Sequence, residues 1–321
     1  GWGASRRGGS EGEMGSEEVT AKPPKVQKLL DHANDCLSRY DLEAALKFYE
    51  KAVSLSPDDT ELLDASGELC LEVGRSEDAL NLLTRSVQLQ PDSNAAKYMN
   101  LGQLMSGPDA LRHFEQGIVM LKKELEGAKE EEEAMGIRRR LASGYVSMTE
   151  IHMTDLCDEE GAEQRCEELL GLATQADPQS VEAWSQAASF KLCQCKNDEA
   201  KKHTYKALGI CNKLEEAEKP SLLVRVGIVK LLIELEQLDE AEEFGRGLLA
   251  VDDQHVETWY LLALINYHQK AWVPARECIQ SAERIFETEG VEDEEQASKV
   301  EELSELVEKE SAEGPEDMED D

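Results

Sequence analysis

Small and apolar residues recur along the chain with helical spacing inside a longer period of about 34 residues. Leu55-Ser56-Pro57-Asp58 recurs 34 residues later as Leu89-Gln90-Pro91-Asp92. Between such marks, an alanine is followed seven residues on by a second small residue, as in Ala45/Ala52 and Ala200/Ala207. Residues seven apart lie on one helix face, where small side chains let a neighbouring helix approach closely. Because no stretch alternates like a β-strand, the pattern predicts an all-α chain of paired helices.

The first helix of several pairs carries a second pattern. Tyr98-x-x-Leu101-Gly102-x-x-Met105 and Trp259-x-x-Leu262-Ala263 resemble the W-x-x-L-G-x-x-Y opening of the tetratricopeptide repeat. Trp259 precedes Ala275 by sixteen residues, as that repeat requires. The resemblance covers roughly 80% of the chain and implies an α-solenoid of about seven helix-turn-helix repeats with a C-terminal capping helix.

The repeat marks also predict the boundaries along the chain. The seven units are placed at residues 26–59, 60–93, 94–124, 138–180, 181–214, 222–255 and 256–289. The predicted organisation is a disordered N-terminal segment at 1–21, the solenoid at 22–289, the capping helix at 290–310 and an acidic disordered tail at 311–321. We expect the second helix of the third unit to continue past Leu125 into the glutamates at 130–133.

Charge narrows the choice of partners. The chain carries 34 Lys and Arg against 69 Asp and Glu, a formal net charge of −35. That balance disfavours direct binding to nucleic acid phosphates or to an anionic membrane surface, and it favours a cationic partner. No apolar run approaches the ~18 residues that a membrane-spanning helix needs. Sixteen of the acids lie in residues 289–321, which contain only two lysines.

No catalytic or metal-binding motif is present in the sequence. It contains no Gly-rich phosphate loop, no G-x-S-x-G and no H-E-x-x-H, and its six histidines are dispersed. Its eight cysteines are scattered through the helical segments, which is typical of reduced thiols that fill small spaces in a core. We therefore predict a protein without enzymatic activity, cofactor or metal.

The repeat resemblance implies where a ligand binds, because the first helices of such repeats line a concave groove. Transferred to the second unit, the groove positions include Glu61, Asp64, Glu68 and Glu72, whose spacing of i, i+3, i+7 and i+11 forms one helical stripe. The other candidate binding residues, in the fifth to seventh units, are Glu182, Glu234, Glu257, Tyr260 and Tyr267. Carboxylates interleaved with aromatics suit a ligand rich in Lys and Arg. The alternative interpretation is an ordinary solvated face of an acidic protein.

One segment of the fourth unit is more distinctive than the repeat residues. Residues 147–157, Ser-Met-Thr-Glu-Ile-His-Met-Thr-Asp-Leu-Cys, followed by Asp177-Pro178, resemble the characteristic segment of the dedicated assembly chaperones of large-subunit ribosomal protein four. Individually, Leu156 and Cys157 are also consistent with the packed end of a helix. The resemblance implies a monomer that binds the newly made, basic ribosomal protein in a 1:1 complex, shields its basic loop, and works in the cytoplasm and nucleus without binding nucleic acid directly.

Two further functions remain open from the residues alone. The chain is also compatible with a scaffold that binds an amphipathic partner helix through apolar groove residues. A third possibility is a chaperone of histones or other basic nuclear proteins that acts through its acidic tail. Binding through the groove is expected to depend on the groove carboxylates and on salt, whereas binding through the tail is expected to depend on the C-terminal residues.

Overall fold

The structure, a computed structural model, describes residues 22–289 and 293–312, and these form fifteen α-helices, one 3-10 helix and no β-strand. The chain divides into two compact units, one up to Ser93 and one from Asn94 onward. The predicted segment 1–21, residues 290–292 and the end of the tail from residue 313 lie outside the described residues.

The first unit consists of two antiparallel helix pairs. Its helices are α1 (Pro24–Leu37), α2 (Leu42–Leu55), α3 (Thr60–Glu72) and α4 (Ser76–Leu89). Asp41 and Asp59 cap α2 and α3 by accepting hydrogen bonds from backbone N–H groups three residues ahead, which satisfies donors that the helix leaves unpaired. The spaced small residues Ala45, Ala52 and Ala79 are fully buried, as the sequence pattern predicts.

The second unit contains five further helix pairs and one additional helix. Its helices are α5 (Ala95–Leu104), α6 (Gly107–Gly127), α7 (Glu131–Met153), α8 (Ala162–Ala176), α9 (Val181–Cys193), α10 (Asn197–Cys211), α11 (Leu222–Glu234), α12 (Leu238–Leu249), α13 (Val256–His268), α14 (Trp272–Glu289) and α15 (Glu294–Ala312), with the 3-10 helix (Glu216–Glu218) between α10 and α11. The seven pairs, α1/α2 to α13/α14, confirm the predicted all-α repeat fold.

The last helix, α15, covers the end of the second unit. It packs against α13 and α14. Val300, Leu303 and Val307 lie on one face of α15 and are almost completely buried in the same core as Leu262 and Ile265 of α13. The seventh pair therefore does not present its apolar face to water.

One predicted boundary is wrong. The second helix of the third pair does not continue into the glutamate run, because α6 ends at Gly127 and a new helix starts at Glu131. Glu131, Glu132 and Glu133 form the first turn of α7, where the partial positive charge of a helix N-terminus stabilises carboxylates. The fourth pair therefore begins seven residues before the predicted position 138.

The cysteines fall into three groups. Cys70, Cys166, Cys211 and Cys278 are buried free thiols, as predicted, and burial raises the pKa of Cys278 to about 11. Cys36 is partly exposed. The predicted core position is wrong for the other three, because Cys157, Cys193 and Cys195 are exposed. None of the helices in the described part of the chain is long and apolar enough to cross a membrane.

Candidate binding surface

In the first unit, three carboxylates stand one turn apart along α3. Asp64, Glu68 and Glu72 are spaced by four residues, and Glu68 and Glu72 are solvent-exposed while Asp64 is only 6% exposed. The pKa of Glu68 is raised, first because the protein surface partly desolvates its carboxyl and then because the charges of Asp64 and Glu72 repel a further negative charge. These three predicted residues therefore form one electrostatically coupled stripe.

The fourth member of the predicted stripe, Glu61, is already paired. Its Oε2 lies 3.0 Å from Nζ of Lys22, and the same ammonium lies 2.9 Å from Oδ2 of Asp59. Burial alone lowers the pKa of Lys22, but the hydrogen bonds to Asp59 and Glu61 outweigh it and raise that pKa. Glu61 thus contributes less unbalanced charge than Glu68 and Glu72.

In the second unit, two carboxylates on two different first helices repel each other. Glu182 near the start of α9 is half-buried, and its pKa is raised by burial and then by the charge of Glu150 on α7. Burial also raises the pKa of Glu150. Two acids whose ionised forms are both disfavoured gain from a cation placed between them.

Glu150 is a residue that the predicted set does not include. The signal for it was present, because Glu150 is position 13 of a repeat that starts at residue 138. The equivalent position of the second helix-pair repeat, α3/α4, is Glu72. The same groove positions applied to the fourth repeat therefore predict Glu150.

The remaining predicted acids, Glu234 and Glu257, differ in whether they make an ion pair. Glu234 is exposed near the end of α11. Glu257 on α13 makes an ion pair with Lys230 of α11, with 2.6 Å between Oε1 and Nζ, and its side chain is 22% exposed. Glu257 therefore holds two first helices together, whereas Glu234 has no ion pair among the described residues.

The two predicted tyrosines face the last helix. The hydroxyl of Tyr267 donates a hydrogen bond to Oε1 of Glu310 on α15 over 2.6 Å, and this bond raises the pKa of the tyrosine. Tyr260 is half-buried and close enough to Lys299 of α15 to contribute to the raised pKa of that lysine, which is mainly due to Glu295. Both tyrosines of α13 therefore lie near α15, at different positions along it.

The described part of the chain has no cluster of metal-ligating side chains. No group of three His, Cys, Asp or Glu side chains in residues 22–289 and 293–312 is arranged to hold a metal ion. Of the arginine cluster at 138–140, Arg138 pairs with Glu131 at 2.7 Å and Arg140 with Glu124 at 3.1 Å. What the first helices offer is carboxylates at separated positions, which is an arrangement for binding lysines and arginines through charge-assisted hydrogen bonds.

Comparison with known proteins gives this surface a context. No family model matches the chain. A probable assembly chaperone of rpl4 from Schizosaccharomyces pombe is 32% identical over 235 residues, which cover 70% of this chain and 69% of that protein. A probable assembly chaperone of rpl4 from Emericella nidulans is 29% identical over 253 residues, 73% of this chain and 63% of that protein. The solved structure of the assembly chaperone of RpL4 (Acl4) matches with a TM-score of 0.70 and 29% identity, covering 77% of this chain and 97% of that one.

Proposed function

Because this chain belongs to the family of assembly chaperones of Rpl4, we propose that it binds newly made Rpl4 and shields it until the large ribosomal subunit is assembled. The observation that carries the proposal is the 32% identity over 235 residues to a family member, together with the structural match to Acl4. The protein acts by binding alone, without catalytic turnover, as a monomer in a 1:1 complex.

The charge distribution supplies the physical reason for such a client. A ribosomal protein that contacts rRNA phosphates is rich in Lys and Arg, and until assembly these side chains attract any nucleic acid in the cell. The carboxylates of α3, with Glu150 and Glu182 in the second unit, mask such charges by ion pairs that rRNA phosphates can later replace. We place this exchange in the nucleus, after binding in the cytoplasm.

The client-binding residues that we propose are the accessible first-helix acids. In the first unit these are Glu68 and Glu72. In the second unit they are Glu150, Glu182 and Glu234. Glu61 and Glu257 contribute less, because Lys22 and Lys230 already neutralise them. Tyr267 also contributes less, because its hydroxyl already donates a hydrogen bond to Glu310 of α15.

The test is co-expression of the chain with Rpl4, followed by affinity capture and measurement of the mass of the complex. We expect a 1:1 complex that dissociates as salt is raised and that rRNA competes away, since exposed charge pairs are screened within ~10 Å at 0.1 M. If Rpl4 is not captured, the proposal is contradicted. Capture that salt does not weaken also contradicts it, and favours the apolar scaffold.

A truncation separates the groove from the tail. It must end at Ala312 rather than at Glu289, because removal of α15 would expose the core beneath Val300, Leu303 and Val307. We expect the chain that ends at Ala312 to retain Rpl4. Loss of capture on this truncation alone would assign the binding to the acidic tail.

A further inference from the structure

The segment around α10 is basic, although the protein as a whole is acidic. Residues 191–213, which include α10, contain six lysines and only two acids, in a chain with a net charge of −35. Lys202, Lys206 and Lys213 follow one another at spacings of four and seven residues and are all exposed. None of the three makes an ion pair with a residue that the structure describes.

The two acids of the segment do not neutralise this lysine stripe. Asp198 and Glu199 lie in the first turn of α10, where the helix dipole stabilises them. Glu199 faces Lys191 instead, with 3.6 Å between Oε2 and Nζ. Like charges one turn apart destabilise a helix by a few tenths of a kcal/mol per pair. Folding alone therefore gives no reason for Lys202 and Lys206 to stand together.

The stripe borders a small groove with an apolar floor. The groove has a volume of about 150 Å³ and lies among α8, α9 and α10. Its lining includes Leu170 and Gly171 of α8, Trp184 and Phe190 of α9, and His203 of α10. Gly171 leaves it open, because a Cβ built there would meet no atom within 4 Å.

Contacts within the groove join it to the lysine stripe. The His203 ring stacks on the Trp184 ring with centroids 5.3 Å apart, and Nζ of Lys206 lies 5.9 Å from the centre of the same indole. Burial lowers the pKa of His203 most, and the charges of Lys191 and Lys202 lower it further against the opposing charge of Glu199. An apolar side chain in the groove would thus lie directly beside ammonium groups.

We propose that the lysine stripe on and just after α10 (Lys202, Lys206 and Lys213) and this groove form a second binding surface, for an acidic peptide segment of another protein that carries an apolar side chain between its carboxylates. The carboxylates pair with Lys202, Lys206 and Lys213, and the apolar side chain enters the groove over Trp184 and Phe190. This surface is distinct from the proposed client site, because its lysines lie on or just after α10, the second helix of its pair, and carry the opposite charge.

The geometry favours a peptide over a nucleic acid. A cavity of about 150 Å³ holds a group the size of benzene, such as one Leu, Met or Phe side chain. The stacking surface of Trp184 is already in contact with His203 and Lys206, so it is not offered to a base. A long polyanion would also be repelled by the rest of a chain with a charge of −35.

The test uses fluorescein-labelled peptides and fluorescence anisotropy with the full chain at low salt. The probe is Gly-Asp-Glu-Leu-Glu-Asp-Gly, and its comparison is the same peptide with Gly in place of Leu. We expect the Leu peptide to bind, the Gly peptide to bind at least fivefold more weakly, and K202E/K206E/K213E to weaken the Leu peptide at least tenfold. The matched control, K25E/K28E/K47E, reverses three exposed lysines of the first unit and is expected to change affinity less than twofold.

A second variant tests the groove without changing charge. Gly171→Leu fills the open space and is expected to remove the preference for the Leu peptide while circular dichroism stays unchanged. The proposal is overturned if the Leu peptide does not bind, if both triple variants weaken it equally, or if Gly171→Leu leaves the preference intact. Tighter binding of a twelve-nucleotide oligo-dT overturns it in favour of nucleic acid. Tenfold tighter binding to the chain that ends at Ala312 overturns it in favour of the protein's own tail.

Discussion

The carboxylate of Asp155 accepts a hydrogen bond from the backbone N–H of Gly107, with 2.6 Å between Oδ2 and N, although the two residues are 48 positions apart. Gly107 is the first residue of α6, and the residue before it, Ser106, makes no side-chain capping bond. The helix is therefore capped from the turn that follows α7. This contact gives a structural role to the aspartate of the Met-Thr-Asp-Leu-Cys segment and joins the third helix pair to the fourth.

Replacing this aspartate should weaken the fold of the second unit. We expect Asp155→Ala to lower the free energy of unfolding by about 1–2 kcal/mol, the usual effect of losing an N-cap acceptor. Urea unfolding followed by circular dichroism measures it. Asp158→Ala, in the same exposed turn, is the control and should change stability by less than about 0.5 kcal/mol. Equal effects of the two substitutions would show that the bond to Gly107 contributes nothing.

A close contact between α5 and α6 gives a second prediction. A Cβ on Gly102 would lie 2.7 Å from Cδ2 and Cε2 of Phe114, whose ring is buried. Gly102→Ala should therefore destabilise the protein by about 1–3 kcal/mol, as overpacking of a tight core does. Gly136→Ala, where the added carbon meets nothing within 4 Å, should instead stabilise α7 by roughly 0.5–1 kcal/mol. Thermal unfolding of both variants tests whether the sign differs.

The repeat fold could be predicted because small residues and prolines mark each helix pair locally. Pairs such as Ala45/Ala52 are fully buried wherever two helices meet, so one sequence period determines both the helix and its packing face. The prediction that the glutamates at 131–133 extend α6 is wrong. A run of charged helix-forming residues fits the end of one helix as well as the start of the next. Only the N-terminal position in α7 explains their charge.

The sequence predicts which residue types line the candidate site, but not which of their side chains are already bonded to other residues of the protein. The repeat positions identify Glu61 and Glu257, but the lysines that neutralise them, Lys22 and Lys230, come from other helices. Tyr267 was predicted as an open groove residue, yet its hydroxyl is bonded to Glu310, forty-three positions later. Such long-range pairings have no local sequence signal.

The Glu150–Glu182 pair predicts an unusual dependence of stability on pH. The folded-state pKa of Glu182 is raised above its unfolded value, so the folded protein binds more protons and loses stability as pH rises through that window. Glu182→Gln should therefore be more stable than the parent at pH 7. The difference should shrink as pH falls towards and below the ordinary glutamate pKa of 4.5. Urea midpoints measured from pH 4 to pH 8 check this.

The control for this prediction is a glutamate on the same surface with fewer neighbours. Glu234→Gln on α11 should change the urea midpoint at pH 7 by less than Glu182→Gln does, because the Glu234 side chain is exposed whereas that of Glu182 is half-buried. A parent protein that is as stable as Glu182→Gln at pH 7 would contradict the raised pKa that burial and then the charge of Glu150 give Glu182.

Charge reversal on α3 tests the binding surface most directly. Glu68 and Glu72 are exposed and one turn apart, whereas Asp64 is buried and Glu61 is paired, so a variant of only the first two leaves the packing of α3 intact. We expect E68K/E72K to weaken capture of Rpl4 about tenfold, which corresponds to about 1.4 kcal/mol. Replacing two attractive carboxylates by two repulsive ammonium groups accounts for a loss of that size, since each exposed pair is worth about 0.2–1 kcal/mol.

The matched variant for this prediction is E77K/D92K, which changes the net charge equally at exposed positions outside α3. It should leave the affinity within about twofold, because Glu77 lies on α4 and Asp92 in the turn after it, not on the first helix that carries the stripe. If both variants weaken capture to the same extent, the client responds to net charge alone. If only E68K/E72K does so, and the difference disappears at high salt, the carboxylates of α3 contact the client, because screening removes a local ion pair while leaving the fold unchanged.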